Sequence, residues 1–361
     1  MPARTMIDWD LAVSTASRLA GPGPTITRSD ADAVVAELRA DAARSTGLVR
    51  EFTGLQTPAG SELTAPVLVV DRTGWVQANV DAFADLVGPL IEKVRARRGA
   101  PNGVTEAIGS KVTGLEVGGL LGFMSSKVLG QFDPFHTGPA ADGTTPSTGR
   151  LLLVAPNIVH VEQELRVDHG DFRLWVCLHE ETHRVQFTAV PWMRDHIRSE
   201  IDGLVSGIDL DPGRVAALVG EGVRRLGDVV RGHDDVSLLD LFSTPEQREV
   251  MDRLTGVMSL LEGHADVVMD GVGPLVIPTV DDIRAKFNQR RKGAGYLDRV
   301  LRRLLGLDAK MAQYRDGAAF VHAVVDKVGM ADFNAVWAEP ANLPSKAEIG
   351  DPAAWVRRVH G

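Results

Sequence analysis

The sequence predicts an α+β protein that is predominantly α-helical, with a small β-sheet. Apolar residues recur at helical spacing through most of the 361 residues. Only two short runs, PVLVVDRTG (66–74) and GRLLLVAPN (149–157), read as strands closed by turn residues. Hydrophobic residues make up 44% of the chain and charged residues 24%, enough for a sizeable core in one large domain or two ordinary ones.

The elements follow in order. TRSDADAVVAELRADAARSTGLV (27–49) has Thr27 or Ser29 as an N-cap and then good helix formers. The strand at 66–74 precedes GWVQANVDAFADLVGPLIEKVRARR (74–98), a helix with an apolar stripe and a basic C-terminal end. The stretch 105–129 carries Gly114, Gly118, Gly119 and Gly122 and reads as closely packed helices around a glycine turn. DPFHTGPAADGTTPSTG (133–149) reads as a loop. It marks a lobe boundary inside a single domain, with an N-terminal lobe of about 1–145 and a helical, metal-binding lobe of about 146–361. Beyond the second strand, helices are expected at 157–167, 171–190, 192–207, 212–231, 245–271, 279–291 and 308–328.

Charge and cysteine usage narrow the function. A net charge of -9 argues against a nucleic-acid partner. The basic runs RARR (95–98) and RRK (290–292) are short and read as solvated helix ends. Cys177 is the single cysteine, which excludes an intramolecular disulfide and fits a reducing compartment. Asp8 and Asp10 stand where a signal peptide would be apolar, and no run approaches 18 uncharged apolar residues. A cytoplasmic protein without a membrane partner is expected.

The chemistry concentrates at LHEETHRVQF (178–187), an H-E-x-x-H pattern. Residues four apart share one helix face, so His179 and His183 can ligate one ion. Glu180 lies about 100° around the helix and can take a proton from a water on that ion. One Zn2+ ion suits nitrogen and oxygen ligands and leaves a position open. Asp168 or Asp171 offers the N-cap, and Trp175, Val176, Leu178, Val185 and Phe187 argue for a buried setting. Glu181 reads as a solvated charge, and Cys177 as a buried structural thiol.

A third ligand must come from elsewhere. The pattern H-E-x-x-H-x-x-G-x-x-H would need glycine at position 186 and histidine at 189, but the chain has Gln186 and Ala189. MSLLEGHADVVMDG (258–271) supplies candidates on an apolar helix capped by Ser243 or Thr244, with Pro245 in its first turn. Glu262 and Asp266 share a face, and carboxylates in such company are costly unless paired or metal-bound. Glu262 is the favoured ligand, with Asp266 accepting the free ring N–H of His179. His264 is the alternative ligand, about 200° from Glu262 around the helix.

E-x-x-x-D following H-E-x-x-H resembles the gluzincin peptidases such as thermolysin, in which the Glu is the third ligand and the Asp orients the first histidine. Here about 80 residues separate His183 from Glu262, against a few tens in those enzymes. A broader resemblance rests on DRTGWVQANVDAF (71–83), KVLGQFDPF (127–135), LLLVAPNI (151–158), LHEETHRVQFTAVPW (178–192), LLEGHADVVMD (260–270) and LLGLDAKMAQYRDGAAFV (304–321). These stretches are similar to a zincin-like family of bacterial hydrolases, some of them named for biosynthesis of a deazaflavin coenzyme. The resemblance implies zincin-like active-site helices beside a small sheet, and a zinc-dependent hydrolase or metalloprotease.

The expected function is therefore hydrolysis of a peptide or related amide bond in a peptide or protein substrate, with Glu180 as general base. Tyr314, His264 and His322 are candidates to stabilise the oxyanion. RLLLVAP (150–156) is the strand expected to bind extended substrate at its edge. The alternative is a zinc-stabilised binding or scaffold protein that keeps the motif without turnover.

Overall fold

The computed structural model describes residues 7–58, 65–98, 103–138, 147–206, 245–292 and 307–361. The expected helix at 212–231 and the caps Ser243 and Thr244 lie outside the described residues. The fold is predominantly helical with one three-stranded sheet.

The sheet has strands β1 (Val67–Val70), β2 (Gly130–Gly138) and β3 (Ser147–Val154) in the order β1-β3-β2. β1 runs parallel to β3, with Val67 opposite Leu151 and Val70 opposite Val154. β2 runs antiparallel to β3, from Gly130 opposite Leu153 to Asp133 opposite Arg150. The register then shifts before Thr137 meets Thr148. Pro134 falls within that irregularity, where no ladder N–H is required of it. The turn-rich composition of 133–149 hid this strand, which the sequence reads as loop from Asp133 onward. The central position of β3 also corrects the expectation that it is an edge. Leu151, Leu152, Leu153 and Val154 are all buried, the unbroken apolar run of a strand covered on both faces.

The chain divides into two compact units. The first comprises residues 1–189 and 268–287. Its helices are α1 (Trp9–Ala20), α2 (Arg28–Thr53), α3 (Arg72–Arg98), α4 (Gly103–Ser125), α5 (Ala155–Leu165) and α6 (His169–Ala189), joined by the end of α8 (Pro245–Val276) and most of α9 (Val280–Lys292). Alternation along β3 builds a core on each face of the sheet. Leu152 and Val154 join Ala16, Trp75, Val76, Val80 and Leu121 from α1, α3 and α4. Leu153 joins Leu38, Ile158, Phe172 and Val176 from α2, α5 and α6, and Ile277 just past the end of α8.

α4 is one continuous helix rather than two around a glycine turn. Gly114, Gly118 and Gly122 are four apart and line the face that meets α1. A Cβ would stand 2.5 Å from Asp8 O at Gly114, 2.7 Å from Ala12 O at Gly118 and 2.8 Å from Leu19 Cβ at Gly122. The bare stripe lets the two helix backbones approach closely. Asn157 then fixes the sheet's connections. Its amide donates to Ser125 O (2.7 Å) and Val128 O (2.6 Å), and its carbonyl accepts from Arg72 Nε (2.7 Å).

The second unit comprises residues 190–267 and 288–361. It contains α7 (Pro191–Ser206), the first part of α8, α10 (Leu307–Phe333), two 3₁₀ turns, α11 (Lys346–Gly350) and α12 (Pro352–His360). Phe320, Phe333, Trp337 and Trp355 form its aromatic centre. Trp192 Nε1 donates to Trp337 O (3.0 Å), and Trp355 Nε1 to Asn342 O (2.8 Å). No helix among the described residues is long and apolar enough to cross a membrane.

Candidate metal centre

α6 starts where Asp168 Oδ1 accepts from Asp171 N at 2.9 Å, so Asp168 is the cap. Asp171 faces α9 instead, accepting from Thr279 N (2.9 Å) and Thr279 Oγ1 (2.6 Å). Phe172, Val176, Leu178 and Val185 are buried, which makes α6 an interior helix. Cys177 is fully buried, its Sγ 3.6 Å from Leu38 O. Burial, reinforced by neighbouring carboxylates, pushes its thiol well above the ordinary range, as expected of a structural cysteine.

His179 and His183 are half-buried one turn apart, with ring centroids 4.9 Å apart and planes at 90°. Gln186 is fully buried and its Oε1 lies 3.0 Å from His183 Nδ1. An Nδ1–H donated to that oxygen leaves the Nε2 lone pair for a metal. Gln186 thus has a role that the motif alone does not reveal. The available signal was a polar residue three positions after His183 on a helix otherwise rich in buried positions.

Glu180 is 8% exposed. It lies against the first residue of β2, where a Cβ on Gly130 would stand 2.5 Å from both Cγ and Cδ of Glu180 and 2.8 Å from its Oε1.

Glu181 differs from its sequence reading. It is fully buried, not solvated, and it joins α6 to α2. Its Oε2 accepts from Thr46 Oγ1 (2.9 Å) and Arg184 Nε (2.8 Å), and Arg184 Nη2 donates to Thr46 Oγ1 (2.8 Å). Burial raises its pKa, and Arg184 and Thr46 pull against that rise. Nearby on α2, burial and then Glu37 raise the Asp41 carboxyl to about 6, against the pull of Arg44 and Arg173.

Glu262, on α8, is half-buried. His179, His183 and Glu262 each offer one ligand atom, and the three atoms lie within 4.8 Å of one another. Two imidazole nitrogens with one carboxylate oxygen form a donor set that fits zinc. Gly263 follows Glu262 and packs on Gly317 of α10, so two helix backbones touch beside this residue.

Asp266 is half-buried one turn after Glu262. His264 is fully buried and is not among the grouped ligands. Its ring stacks on Phe333 (5.8 Å) and meets Trp337 edge-on (5.3 Å). His322 is half-buried on α10. Tyr314 falls in the same helix, but its side chain lies outside the described residues.

A family model described as zincin-like metallopeptidase matches residues 7–356. A crystal structure from Chloroflexus aurantiacus, of a protein described as a candidate hydrolase with a novel fold, is similar to this chain with a TM-score of 0.68 and 32% identity. The match covers 98% of each chain. No curated protein matches the chain.

Proposed function

The chain belongs to the zincin-like metallopeptidase family, and on that premise we propose that it is a zinc-dependent hydrolase acting on a peptide bond. The observation that carries this reading is the convergence of His179, His183 and Glu262, with Glu180 on the same helix as the two histidines. His179, His183 and Glu262 would hold the ion. Asp266 orients His179, and Gln186 orients His183. When bound, zinc supplies a Lewis acid that acidifies a water and polarises a carbonyl.

Glu180 is the general base. Its carboxylate takes the proton of the attacking water and returns it to the departing amine nitrogen. At 8% exposure it is held largely away from bulk water, where competing proton transfer is reduced.

β2 supports a peptide as the target. Val154 N donates to Leu129 O at 2.8 Å, and Gly130 is opposite Leu153. In an antiparallel ladder the hydrogen-bonded pairs alternate, so the main-chain groups of Gly130 and Phe132 point away from β3. Among the described residues no strand pairs with that outer edge. An extended chain added there would run past Glu180.

The test is Glu180→Gln against a broad peptide library. The variant should keep stoichiometric zinc and lose turnover by about 10²–10⁴-fold. A wild-type protein that holds zinc and cleaves nothing in the library would overturn the hydrolase reading in favour of a zinc-stabilised scaffold.

A further inference from the structure

Gly130 opens β2 without needing to be a glycine for its backbone. Among the described residues the glycines with positive φ are Gly21, Gly23, Gly54, Gly149 and Gly329, and Gly130 is not one of them. Any residue could adopt its conformation, so the reason for a missing side chain must be space.

The space is occupied by Glu180. A Cβ would stand 2.5 Å from Cγ, 2.5 Å from Cδ and 2.8 Å from Oε1 of that residue, inside normal contact distance at three atoms. Two residues along, on the same face of the strand, Phe132 fills the corresponding position and packs on Phe187 with centroids 5.3 Å apart. The face of β2 toward α6 therefore carries an aromatic ring at one position and nothing at the next, and the gap faces Glu180.

We propose that Gly130 is a positioning residue for Glu180: its missing side chain lets the carboxylate lie directly against the face of β2, the edge strand. This rests on the hydrolase reading above. One residue then sets two things at once. Its outward main-chain groups fix the register of a chain laid along the edge, and its bare Cα fixes the base beside that chain. An alanine here leaves the backbone and the metal ligands in place but evicts the carboxylate. The added methyl overlaps three atoms of a nearly enclosed side chain, so the Glu180 carboxylate must shift.

The test uses Gly130→Ala in the full chain loaded with zinc, assayed on the best-cleaved peptide from the library. Stoichiometric zinc, a KM within a factor of about two and a kcat lower on the order of 10²-fold are expected, because a base displaced by about 1 Å loses that much. A double-mutant cycle with Glu180→Ala separates displacement of the base from general damage. Alanine at position 180 has no γ atom to meet the added methyl, so Gly130→Ala should cost much less of the residual turnover in the Glu180→Ala background than in the wild-type background. Equal cost in both backgrounds, loss of zinc, or a kcat within a factor of about two of wild type would overturn the proposal while leaving the hydrolase reading intact. If wild type cleaves no peptide, that reading fails by itself. Gly130 is then judged on a crystal structure of the zinc-loaded variant, where an unmoved Glu180 carboxylate overturns the proposal and a displaced one supports it.

Discussion

Gly263 and Gly317 meet backbone to backbone. A Cβ on Gly263 would overlap the carbonyl carbon of Gly317, and one on Gly317 would overlap Ser259 O. Neither helix can retreat by turning a side chain, because only main-chain atoms are involved. Gly263→Ala should destabilise the protein by about 1–3 kcal/mol or more and weaken zinc binding, since its neighbour Glu262 must move with α8. Thermal unfolding and zinc affinity measured together check this. A variant as stable and as zinc-replete as wild type would contradict the close crossing.

Glu262→Ala should lose most of the bound zinc, whereas His264→Ala should keep it and lose stability instead. His264 is enclosed by Phe333 and Trp337, and its removal leaves a cavity among aromatic rings. Elemental analysis of both variants decides the assignment. Full zinc in Glu262→Ala with depleted zinc in His264→Ala would reverse it.

Glu181 and Arg184 act as a unit with Thr46. Glu181→Ala strands a largely buried guanidinium, which costs about 3–5 kcal/mol. Removing both charges, Glu181→Ala with Arg184→Met, should restore much of that loss. Chemical denaturation of these two variants and of Arg184→Met is the measurement, and additive losses would refute the coupling.

Asp41 gives a pH dependence of defined sign. Burial, with Glu37 beside it, holds its folded-state pKa at about 6, above the ordinary value of 3.8. The folded state therefore binds the proton more tightly, and ionising Asp41 costs stability as pH rises from about 4 to about 6. Above that range the cost is constant. Asp41→Asn removes it, so the variant's Tm advantage over wild type should grow across that window and then level off. Asp41 is partly exposed and solvent screens the effect, so the plateau should be about 2 °C. Paired melts at pH 4 and pH 7 test this, and a gap that shrinks with rising pH would contradict it.

The H-E-x-x-H helix was legible because its information is local. His179, Glu180 and His183 sit within five residues, and helical geometry brings the histidines to one face without knowledge of the fold. Glu262 was readable as a carboxylate amid apolar positions, though only folding places its ligand atom within 4.8 Å of those of the two histidines. Gly130 had no local signal, since a glycine before a Pro-containing segment reads as a turn. Its meaning depends on β2 lying against α6. β2 was missed for the same reason, because register irregularities tolerate residues that a regular ladder excludes. Glu181 was misread because solvent exposure is the default for a charge on a helix, and its partners Thr46 and Arg184 come from 135 residues upstream and from the next turn.

The first unit has a consequence for synthesis on the ribosome. Its chain is interrupted: residues 1–189 are completed by 268–287. Ile277, Val280 and Ile283 fill the same core as Phe172, Val176 and Cys177 of α6, and Thr279 binds Asp171 at that helix's first turn. A nascent chain that has just finished the H-E-x-x-H helix therefore has an open side along it. It stays open while nearly a hundred further residues are made. The histidines are born early, but the wall behind their helix arrives late, so premature termination before residue 287 should yield an insoluble fragment rather than a smaller working protein.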